Sequence, residues 1–119
     1  MNPSEDAARG SRSRSAPVPC SAGPTLRVVG GKWKAPILWS LYKAHRPLRF
    51  AEIKRALLGI TPRMLSRRLL ELEAQGILSR NIRRIKPPRV EYAMTEHGRT
   101  LHAVLVALCR WGEANGWSE

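Results

Sequence analysis

The segment Gly59-Ile60-Thr61-Pro62-Arg63-Met64-Leu65-Ser66-Arg67-Arg68-Leu69-Leu70-Glu71-Leu72-Glu73-Ala74-Gln75-Gly76 decides the fold. Thr61 is a strong N-cap residue, and Pro62, which has no N–H to lose, suits the first helical position. Leu65, Leu69 and Leu72 recur at four- and three-residue spacing and so share one helical face. This predicts a helix from Pro62 to about Gln75, ended by Gly76. Arg63, Ser66, Arg67 and Leu70 fall roughly opposite the leucine stripe. Basic residues (Arg63, Arg67, Arg68) occupy the first half of the helix, and Glu71 and Glu73 the second.

Upstream, after the turn signal Arg46-Pro47, Phe50, Ile53 and Leu57 mark one face of a shorter helix that Gly59 stops. Leu26 and Val29 predict a short first helix. Gly30-Gly31 interrupts it, and Trp33, Ile37, Leu38, Leu41 and Tyr42 form a second. Downstream, Leu78 to Ile85 and Val90 to Met94 read as two strands joined by a tip, Lys86-Pro87-Pro88-Arg89, because Val90, Tyr92 and Met94 alternate with Glu91 and Ala93. Thr95 can cap a final helix striped by Leu101, Val104, Leu105, Leu108 and Trp111. The expected fold is therefore mainly α with a small β hairpin (α+β), in the order of a winged helix-turn-helix.

With 119 residues the chain suits one domain. Residues 1–19, rich in Ser, Ala, Pro and Arg, read as a disordered basic tail, leaving 20–118 as the domain. The chain has 21 Lys plus Arg against 9 Asp plus Glu, a formal charge of +12, and 18 basic and 7 acidic residues remain once the tail is removed. That excess self-repels unless a polyanion, nucleic acid or an anionic membrane, shares it. No run approaches the roughly 18 apolar residues of a membrane span and no signal-peptide core is visible, so a cytoplasmic protein with no membrane partner is expected.

Two consecutive helices joined by a tight turn, the second basic at its start, match the way a recognition helix enters the major groove, where arginine binds guanine bidentately. Thr61, Pro62, Arg63, Ser66 and Arg67 are the candidate DNA-reading residues, and double-stranded DNA the expected partner. A solvated basic helix is the bland alternative. Lys86, Pro87 and Arg89 at the hairpin tip, within a run from Arg80 to Arg89 that contains no acid, are candidate wing contacts to DNA. Edge protection by charge and proline is the alternative there. A sequence-indifferent nucleic-acid binder would need only the same charge.

The two cysteines, Cys20 and Cys109, have no CxxC or zinc-ligand spacing, and His45, His97 and His102 share no helical face. No metal, cofactor or catalytic constellation is expected, so the chain does not read as an enzyme. Cys20 sits beside the basic tail, an electropositive setting of the kind reactive thiols occupy, yet an incidental thiol is the commoner case. Cys109 is expected to pack as a small apolar residue.

The chain resembles the HxlR-type helix-turn-helix regulators over Cys20 to Trp117. The resembling residues are Cys20, Leu26 to Lys34 as LRVVGGKWK, Arg49-Phe50, Gly59 to Leu65 as GITPRML, the segment RRLLELEAQGIL, Pro87 to Thr95 as PPRVEYAMT, and RWGE at Arg110 to Glu113. The resemblance implies a dimeric winged-helix repressor or activator whose N- and C-terminal helices form the dimer interface, here through Leu26, Leu101, Leu105, Leu108 and Trp111. Its recognition helix reads a near-palindromic operator. Lys32, Lys34 and Arg49, basic residues of the resembling segments, are assigned to the DNA backbone. Some family members sense oxidants or electrophiles through the cysteine that Cys20 matches, which makes a redox or small-molecule effector part of the expectation. Ser21 stands where the family usually has proline.

Overall fold

The computed structural model describes residues 20–117; the expected tail, 1–19, and residues 118–119 lie outside the described residues. Six helices and one hairpin follow in the order α1 (Ala22–Val29), α2 (Lys34–Ala44), α3 (Phe50–Ala56), α4 (Pro62–Ala74), β1 (Leu78–Arg83), β2 (Arg89–Met94), α5 (Glu96–Arg99) and α6 (His102–Ala114). This is a winged helix-turn-helix, α3 and α4 forming the helix pair and β1–β2 the wing. No helix among the described residues is long and apolar enough to cross a membrane.

The local chemistry of α4 is the one its sequence predicts. The Thr61 side chain accepts from the Met64 N–H at 3.1 Å, with Pro62 in the first turn. At the other end Gly76 adopts φ 76°, and Ile77 N–H reaches the Leu72 carbonyl at 3.0 Å while Gly76 N–H reaches that of Glu73. These two bonds satisfy carbonyls that the helix end leaves open, in a backbone conformation that only glycine adopts without strain.

One apolar cluster fills the interior. Leu65, Leu69 and Leu72 of α4 meet Ile37, Leu38 and Leu41 of α2, Ile53 of α3 and Leu78 of β1. Val29, at the end of α1, joins the same cluster.

Three elements differ from the sequence-based expectation. The strands pair in antiparallel register from Leu78↔Met94 to Arg83↔Arg89, so β1 stops two residues earlier than expected and β2 starts one earlier. Pro87 and Pro88 have no N–H to donate, and the ladder cannot continue across them. Leu48 adds a one-residue third strand: its N–H bonds the Tyr92 carbonyl at 2.9 Å and its carbonyl accepts from Tyr92 N–H at 2.7 Å.

The final helix is broken in two. Thr95 does cap it, accepting from Gly98 N–H at 2.9 Å, but Thr100 and Leu101 bond back only three residues, to His97 and Gly98. The Thr100 hydroxyl also donates to the His97 carbonyl at 2.6 Å, competing with the ladder at the break. Gly98 is buried, and a Cβ there would meet the Ile77 carbonyl and the Met94 side chain, which clamps α5 onto the hairpin root.

Candidate DNA-binding surface

The leucine stripe turns the opposite face of α4 outward: Thr61, Pro62, Arg63, Ser66 and Arg67 are all exposed. Among the described residues neither Arg63 nor Arg67 has a carboxylate partner. Arg68, on the flank, is instead held by Glu71 at 2.6 Å. That contact, with Lys34 nearby, holds the Glu71 carboxyl below its usual range. Glu71 thus neutralises the flank of α4 and leaves the face of Arg63 and Arg67 cationic.

In the wing, Lys86 and Pro87 are exposed at the tip, and Arg89 is half-buried at the start of β2. Arg83 lies directly across from Arg89, a like-charge pair that destabilises a bare hairpin. Glu91 relieves Arg83 at 3.3 Å, while the Arg89 Nε is buried with no partner.

The three residues assigned to the DNA backbone divide. Lys32 is exposed, its ammonium 5.1 Å from the Trp33 ring centre. Arg49 is exposed at the head of α3, where its N–H donates to Glu52 at 2.8 Å. Hydrogen bonds from Arg46 first and from this N–H second hold the Glu52 carboxyl at about 2.

Lys34 is a correction: it is only 8 % exposed, its Nζ donates to the Arg27 carbonyl at 3.1 Å and lies 3.6 Å from Glu71. It ties α1 to α4 inside the fold and is not available to phosphate. The spacing Lys32-Trp33-Lys34 at a helix start carried no signal that one lysine turns in and the other out.

The residues expected at a dimer interface also divide. Leu26 (55 % exposed), Leu108 (47 %) and Trp111 (63 %) stand out in solvent with Val104. Leu101 is half-buried against the core, and Leu105, at 2 % exposure, belongs to the core itself. This corrects the assignment of Leu105: it joins the core cluster with residues of α2, and after Val106 the helix is largely exposed. Cys109 lies on that part and is exposed, not packed as expected; Cys20 is exposed too.

The basic face of α4, the wing beside it and the helical order define a winged helix-turn-helix DNA-binding protein. Residues 28–119 match the HxlR-like helix-turn-helix family, and the chain belongs to it. It is 46 % identical over 92 residues to the HTH-type transcriptional regulator YtcD of Bacillus subtilis, covering 77 % of this chain and 71 % of that one. It is 44 % identical over 97 residues to an HTH-type transcriptional regulator of Methanothermobacter thermautotrophicus, covering 82 % and 72 %. The redox regulator HypR, solved in its reduced form, superposes with a TM-score of 0.74 at 42 % identity, over 81 % of this chain and 93 % of that one. Its oxidised form gives 0.72 at the same identity, over 80 % and 96 %. The chain is accordingly a transcriptional regulator of the helix-turn-helix class and not an enzyme.

Proposed function

We propose that this regulator is a homodimeric repressor that binds a near-palindromic operator in double-stranded DNA. Arg63, Ser66 and Arg67 contact base edges, Thr61 and Pro62 set the helix start against phosphate, and Lys86, Pro87 and Arg89 carry the wing. Lys32 and Arg49 add backbone contacts. The observation that carries this reading is the polarity of α4, whose exposed arginines lie at its start and whose ion-paired glutamate lies behind them.

The homodimer rests on α1 and the exposed half of α6, where Leu26, Leu108 and Trp111 expose apolar surface that a second copy would remove from water. Two recognition helices related by a two-fold axis then sit roughly 34 Å apart, one turn of duplex. Selection from random duplex at physiological salt tests the reading. A selected site with two inverted halves is expected, and random duplex competing equally with it would refute sequence-specific regulation.

For Cys20 we propose an oxidant-sensing role. It is exposed, it adjoins α1 at the proposed interface, and the similar protein HypR is described as a redox regulator in reduced and oxidised forms. Oxidant is expected to release operator from the wild type and not from Cys20→Ser. Release from both proteins would take Cys20 out of the response.

A further inference from the structure

Where α2, the loop after it, the end of β2 and the α5–α6 corner meet, they line a half-open cavity of about 410 Å³. Its floor is apolar, formed by Leu41, Ala93 and Met94. One wall is aromatic: the His102 ring lies 4.8 Å from that of Tyr42 and stacks on Trp39 at 6.1 Å. The Tyr42 hydroxyl is already used, donating to the Gly98 carbonyl at 2.6 Å, so this wall is fixed in place.

Arg46, Arg99 and His45 also line the cavity, and no acid does. Arg46 is committed to Glu52 at 3.0 Å, whereas Arg99 has no carboxylate partner among the described residues. His45 holds φ 55° at the end of α2, a left-handed conformation that histidine adopts more readily than most side chains. An apolar floor, the rings of Tyr42 and His102 and an unpaired guanidinium suit an aromatic ligand with one anionic end.

We infer that this cavity binds a small aromatic carboxylate. The ring packs between His102 and the Leu41–Met94 floor, and the carboxylate pairs with Arg99. Because the walls come from the root of the wing and from the start of α6, an occupant bridges the DNA-binding hairpin and the helix proposed to dimerise. The binding stands on the cavity alone, and its role as an effector rests on the regulator reading.

Calorimetric titration of the DNA-free protein with 2-naphthoate tests the site, with 2-naphthamide and 2-naphthylmethylamine as neutral and cationic isosteres. Naphthoate is expected to bind with a Kd on the order of 100 µM. The amide and the amine should bind at least about tenfold more weakly, as should naphthoate to Arg99→Gln. Ala93→Leu, which fills the floor, should abolish binding, and thermal melts verify that both variants fold. No heat at several times the expected Kd, equal binding of the amine, or wild-type binding by both variants overturns the assignment.

Operator affinity with and without naphthoate then reads the regulatory part, where a change of roughly fivefold or more is expected. Unchanged operator affinity at saturation removes the effector role and leaves the site. Loss of sequence-specific DNA binding would sink the regulator reading and leave the titration as it is.

Discussion

Replacing Lys34 with methionine separates a residue that positions the reading helix from one that touches DNA. The ammonium lies 3.6 Å from Glu71, where full Coulomb attraction at an effective dielectric of 20 amounts to about 4–5 kcal/mol. Glu71 is 37 % exposed and shared with Arg68 at 2.6 Å, so solvent and the second cation reduce the pair to about 1 kcal/mol. The hydrogen bond to the Arg27 carbonyl, 3.1 Å long, adds about 1–2 kcal/mol. Methionine fills the same space and avoids desolvating a charge, which recovers about 1 kcal/mol. The net loss is about 1–2 kcal/mol, or a melting temperature lower by about 5–10 °C for a domain of this size. Binding to the selected operator, followed by fluorescence anisotropy across a salt series, should keep its slope against log salt, because no phosphate contact is lost. A melt like the wild type's together with a slope reduced by about 0.9 would refute the positioning role and make Lys34 a phosphate ligand.

Arg67→Ala should cost about 1–3 kcal/mol on the best operator and relax base preference there, whereas Arg89→Ala should weaken all sequences alike and lower the salt slope by about 1, both read by competition binding. Equal, sequence-blind losses would reject the division of roles between helix and wing. Leu108→Glu should convert the proposed dimer to monomer in sedimentation equilibrium without lowering helical content, since the side chain is 47 % exposed in the single chain; a dimer unchanged by it would move the interface off α6. Glu52 holds its proton at about 2 instead of the ordinary 4.5, so the stability it lends is present above that ordinary value and lost as pH falls toward 2. Glu52→Gln should therefore flatten the acid limb of a urea-midpoint curve between those values, and an unaltered limb would show the carboxylate to be uncoupled from folding.

The elements that the sequence specified well are those whose signals are local. Thr61, Pro62 and Gly76 act within one turn of themselves, and the leucines at 65, 69 and 72 need only a helix to share a face. The hairpin was legible in its alternation, yet its ladder ends where the prolines remove donors, a limit visible in Lys86-Pro87-Pro88 once the register is known. What stayed hidden depends on distant partners. Nothing near Lys34 announces that Glu71 and the Arg27 carbonyl await it, and Leu48 pairs with Tyr92 across the whole helix-turn-helix. Leu105 and Leu108 are the same residue type on one stripe, and only the packing of the finished fold makes the first core and leaves the second 47 % exposed. Two of the three histidines, unpromising as metal ligands by spacing, line a cavity because the fold brings His45 at the end of α2 and His102 at the start of α6 together.

Net charge says that a polyanion is wanted but not where it lies; the direction comes from how the few acids are used. Glu52 holds Arg46, Glu71 holds Arg68 with Lys34 nearby, and Glu91 holds Arg83. Each of these carboxylates neutralises a cation beside or behind the reading surface, and none reaches Arg63, Arg67 or Lys86. The cations left without partners on α4 and at the wing tip are therefore the ones that an α-helix in a groove and a hairpin along a backbone would present. Arg89 is the sharpest case: it faces Arg83 across the ladder and keeps a buried, unpartnered Nε. An acid at either position would relieve the Arg83–Arg89 pair, and its absence is what the proposed wing contact to phosphate would account for.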